Sequence, residues 1–132
     1  MQPLRIADIR RAVRAALAED IGPGDATTLA TIPRTAQARA TMRARQPLTV
    51  AGLAFAETAF RLRSSGVQIK LRARDGQRVA TGQVLLEVAG PVRSLLSAER
   101  VELNFVQRLS GIATLTARFV DSVQGTSTRI LD

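Results

Sequence analysis

Arg100, Asn104 and Gln107 stand at positions i, i+4 and i+7 of an apolar-periodic stretch running from Arg93 to Leu109. On a helix that spacing lines three side chains along one side. The set is rich in hydrogen-bond donors and contains no carboxylate. A guanidinium offers a rigid planar fork that meets a carboxylate at two points, so the chemistry such a face suits is the capture of a planar anion. The same spacing also fits a solvated helix face, or an internal salt bridge with Glu99 or Glu102, each of which points to a different side from Arg100. Spacing alone leaves both readings open. Other chemistry is excluded by composition. Histidine and cysteine are both absent, which removes the imidazole base, the Ser-His-Asp arrangement, the thiol nucleophile and the common nitrogen and sulfur metal ligands. No catalytic residue and no metal ligand is assigned.

The elements that would position this face can be read outward from it. Leu96, Leu103 and Val106 form the expected apolar stripe of the Arg93–Leu109 helix. Ser110-Gly111 is expected to break it, and Ile112, Leu115, Phe119 and Val123 give the face of a further helix ending at Gly125. Upstream, Ile6, Ile9, Val13, Ala16 and Leu17 recur at helical spacing, predicting a first amphipathic helix stopped by Gly22-Pro23-Gly24. Asp20 to Thr28 reads as a tight, turn-rich loop. From Ala36 the period changes to two. Ala36, Ala38, Ala40, Met42 and Ala44 point one way, which predicts a half-buried strand with small residues under a closely packed helix. Leu48 to Ala51 is a short strand, and Gly52 to Arg63 a largely buried helix carrying Leu53, Ala56 and Phe60. Val67, Ile69, Leu71 and Ala73 mark another half-buried strand. Asp75-Gly76 and Thr81-Gly82 are turns leading into the strand Val84–Val88, closed by Gly90-Pro91, and Thr128–Asp132 begins a last one. Helices and strands do not alternate regularly, so the expected class is α+β, a small mostly antiparallel sheet packed by helices.

At 132 residues the chain has the size of one ordinary domain, and 45% hydrophobic residues is enough for a core. Aromatic residues make up only 3%, so that core must be built from Ala, Leu, Val and Ile. No apolar run approaches a membrane span and the first residues do not form a secretory signal, so no membrane partner and a cytoplasmic location are expected. The net charge of +8 is carried almost wholly by arginine, with Lys70 the single lysine. A basic nucleic-acid module is the alternative that charge raises. The arginines are scattered and the stacking aromatics of single-strand readers are missing, so no nucleic acid is expected.

The stretch Ser97 to Thr114, SAERVELNFVQRLSGIAT, resembles the quinolinate phosphoribosyltransferase signature A-E-R-x-x-L-N-[FL]-[LV]-Q-R-L-S-G-I-A-T. Glu19 to Asp25 is similar to that family's E-D-[IL]-G-x-G-D. Ala51-Gly52-Leu53, Asp75-Gly76 with Val79 and Gly82, and Gly90-Pro91 follow in the family order, and Ile130-Leu131-Asp132 resembles the start of its I-L-D-T-R-K-T motif. A molybdenum-transport accessory relative shares the domain, but Ala98-Glu99-Arg100 and Gln107-Arg108-Leu109 follow the enzyme. The resemblance implies a hammerhead-like amino-terminal domain over residues 1–125. Residues 126–132 would begin a carboxy-terminal α/β barrel missing from this chain. It implies transfer of phosphoribose from phosphoribosyl pyrophosphate to quinolinate in a homodimer, with release of pyrophosphate and carbon dioxide and formation of nicotinate mononucleotide. Arg100 would reach across the dimer to a quinolinate carboxylate, with Asn104 and Gln107 supporting it. Mg2+ would assist the pyrophosphate from the barrel, with none expected in this chain, which alone would be inactive.

Overall fold

The computed structural model describes residues 3–22 and 30–131. In chain order its elements are α1 (Ile6–Ile21), β1 (Gln37–Arg43), β2 (Leu48–Thr49), α2 (Leu53–Arg63), β3 (Gln68–Leu71), β4 (Arg78–Val79), β5 (Val84–Pro91) and α3 (Val92–Ser122). The architecture is α+β. One antiparallel sheet has the order β1-β5-β3, and β2 and β4 form a separate antiparallel ribbon.

α1 turns Ile9, Val13 and Leu17 inward at i, i+4 and i+8. Ile6, expected on the same stripe, is exposed, because it is the helix's first residue and lies beyond the packed turns. The chain leaves α1 through Gly22 at φ +54, whose N–H donates to the Ala18 carbonyl. Pro23, Gly24 and most of the expected turn-rich loop lie outside the described residues.

β5 is the central strand, and its Leu86 and Val88 are buried. Ala40 pairs with Val88 and Met42 with Leu86, so the alanines of β1 do share the inner face. Ala38 and Ala40 are nevertheless exposed rather than pressed under a helix. β1 is an edge strand, and the helices cover the middle of the sheet, not that edge. Ile69 of β3 is half-buried, and Leu71 at its end is exposed.

α2 is held from a distance. Both oxygens of Asp75, in the turn before β4, accept backbone N–H groups at its start, from Gly52 at 3.0 Å and Leu53 at 3.1 Å. They satisfy donors that a helix leaves unpaired at its amino terminus. Gly52 has φ +95, and a Cβ there would meet Leu109 Cδ1 at 3.0 Å. That close approach lets α2 lie against α3, where Phe55 and Phe105 stack with ring centroids 4.7 Å apart.

The largest departure from the sequence reading is α3. It is one helix of 31 residues, with no break at Ser110-Gly111, and it follows β5 without a loop after Pro91. Glycine weakens a helix interior by only about 1 kcal/mol relative to alanine, and tertiary bonds grip this turn. The Ser110 hydroxyl bonds both the N–H and the carbonyl of Ala51, and Thr114 Oγ1 accepts the Thr49 N–H. The buried stripe is Leu95, Ala98, Val101, Glu102, Val106 and Ser110. Of the expected stripe only Val106 is buried; Leu96 is exposed and Leu103 half-buried. Residues 126–131 form no strand within this chain. Among the described residues no helix is long and apolar enough to cross a membrane.

Candidate functional site

α3 carries Arg100, Asn104 and Gln107 together on its exposed side, as their spacing requires. They line an open recess of about 530 Å³ between α3 and the end of α1. The Arg100 side chain is 78% exposed. Its one ion pair among the described residues is with Asp20 in the last turn of α1, Nε to Oδ1 at 3.7 Å, longer than a hydrogen bond. Gln107 also lines a groove of about 550 Å³ beside β2, whereas Asn104 faces a third hollow with Glu19 and Arg108.

The surroundings differ from the sequence reading in two ways. The recess is not free of carboxylates, because Asp20 and Glu99 both line it and Arg100 is its single cation. Glu99, expected on a different side from Arg100, stands about 100° round the helix from it, and the hollow is wide enough to be bordered by both. Glu102, weighed as a salt-bridge partner on another side of the helix, is 5% exposed, and its Oε2 has no hydrogen-bond partner. Burial, and then the charge on Glu99, push its carboxyl up to about 8. The i, i+4, i+8 series Ala98, Glu102, Val106 was the signal that could have placed it inward.

This arrangement can hold one planar anion by an exposed fork. It cannot by itself hold a dianion, since its own lining carries two carboxylates against one guanidinium. Among the described residues no group of three or more His, Cys, Asp or Glu is placed to bind a metal ion.

The structure is thus an α+β domain that offers a guanidinium outward from a long helix. The chain belongs to the family described as quinolinate phosphoribosyl transferase, N-terminal domain, which matches residues 25–110 and so includes Arg100, Asn104 and Gln107. Nicotinate-nucleotide pyrophosphorylase [carboxylating] of Mycobacterium leprae (strain TN) is 41% identical over 93% of this chain and 44% of its own length. The chloroplastic protein of that name from Oryza sativa subsp. japonica is 39% identical over 87% of this chain and 31% of its own. The solved nicotinate-nucleotide pyrophosphorylase from Francisella tularensis superposes with a TM-score of 0.87 at 33% identity, over 93% of this chain and 44% of that one. The chain thus spans less than half the length of the curated relatives it matches.

Proposed function

We propose that this chain is the amino-terminal part of an enzyme that joins quinolinate to the phosphoribosyl group of phosphoribosyl pyrophosphate, releasing pyrophosphate and carbon dioxide and forming nicotinate mononucleotide. Arg100 clasps a quinolinate carboxylate in the active site of a second subunit of a homodimer. The observation that carries this reading is the exposed Arg100 fork on a rigid helix, inside the stretch that matches the family. A guanidinium fixed on a helix loses little freedom on docking. The recess's own carboxylates explain why the remaining cations must come from another polypeptide. Mg2+ would assist the pyrophosphate there, away from this recess. Asn104 and Gln107 support Arg100 or the interface. A cytoplasmic site of action is in keeping with a chain that has no cysteine.

Carbon dioxide release from quinolinate, measured on the whole gene product, tests the reading. Arg100→Ala should lower kcat/KM for quinolinate at least tenfold, in line with about 2–5 kcal/mol for a truncated buried charge pair. Unchanged quinolinate affinity in that variant removes the assigned role. The 132-residue chain alone should show no turnover, and turnover by it would refute the need for a second part.

A further inference from the structure

The last turn of α1 carries Glu19 and Asp20 and no basic residue. Carboxylates at a helix's carboxy-terminal end face the negative pole of its dipole, so local helix stability does not explain them. Asp20 is the better sheltered partner of its ion pair, 25% exposed against 78% for Arg100. Both side chains line the recess in front of α3 and the hollow behind it. The Asp20 carboxylate stands nearest Nε, the guanidinium nitrogen closest to the backbone. An acid on that edge leaves the two terminal nitrogens for a ligand, and those two make the parallel bonds of a fork with a carboxylate.

We propose that Asp20 is a positioning residue for Arg100: it holds the guanidinium by its Nε edge so that both terminal nitrogens meet the substrate carboxylate. This rests on the reading of Arg100 given above. The division of labour is spatial. α3 sets where the side chain starts, and α1, through Asp20, sets how the fork is turned. An arginine without that acid samples more rotamers and meets the carboxylate at one point more often than at two.

The test uses the whole gene product and compares Asp20→Asn, Asp20→Glu, Arg100→Ala and Asp20→Asn/Arg100→Ala. Asp20→Asn keeps the side chain's shape and removes its charge. It should raise KM for quinolinate about fivefold, the size of a typical coupling between contacting residues, and leave KM for phosphoribosyl pyrophosphate and the thermal midpoint unchanged. Asp20→Glu should recover part of the loss. The double variant should be no worse than Arg100→Ala alone. An unchanged quinolinate KM in Asp20→Asn, with a strong effect of Arg100→Ala, overturns the positioning role and leaves the Arg100 reading standing. Strictly additive losses in the double variant also overturn it. A silent Arg100→Ala overturns both.

Discussion

The two halves of α3 carry the same kind of pattern and meet different surroundings. From Val92 to Ser110 the apolar side is covered by α1, α2 and the sheet, and Val101 and Val106 are buried. From Gly111 onward Ile112, Leu115 and Phe119 also recur at helical spacing, yet all three are exposed, Phe119 by 55%. Periodicity therefore reports that a face is built to be covered, not what covers it. Exposed apolar faces of this kind mark places of association. The polar recess around Arg100 lies on the well-packed half, where the backbone that carries it is fixed.

The same substitution made in each half gives the largest expected contrast. Leu95→Ala should cost about 2–5 kcal/mol through lost burial and a cavity, whereas Leu115→Ala should stay within about 0.5 kcal/mol. Urea unfolding of the chain measures both, and equal losses would erase the difference between the halves. Next comes Glu102, buried within the covered half. Its carboxyl titrates at about 8 in the fold against 4.5 as the ordinary value, so between those limits the folded state holds more protons than the unfolded one. Stability should fall as pH rises through that window and level off above it. Glu102→Gln should match the parent near pH 4 and exceed it by a few kcal/mol at pH 8.5. A parent profile that stays flat across the range speaks against a buried, uncharged Glu102. The smallest effect belongs to the seam between the halves. Ser110→Ala strips Ala51 of its two hydroxyl bonds and should cost about 1–2 kcal/mol, read as a lowered thermal midpoint.

Much of the fold was legible because it is local. The i, i+4, i+8 series of Ile9, Val13 and Leu17, the buried α2, and the turns at Gly76 and Gly82, both at positive φ, follow from residue type and spacing. The misreadings share a cause: the deciding contact is distant in sequence. Ser110 and Thr114 hold the helix through Gly111 by bonding Ala51 and Thr49. Ala38 and Ala40 lie open because β1 pairs on one side only. The Arg100, Asn104, Gln107 face was readable from α3 itself, whereas the acid beside Arg100 comes from a helix about eighty positions earlier. Spacing within one helix could not supply it.

An unbroken α3 also fixes a mechanical relation. Arg100 and Leu115 ride on one stiff rod, separated by roughly 22 Å along its axis at about 1.5 Å per residue. Whatever seats the free end therefore also places the backbone from which Arg100 projects, with no hinge at Gly111 to absorb a misfit. The starting point of that side chain is inherited from the angle at which the far end is anchored.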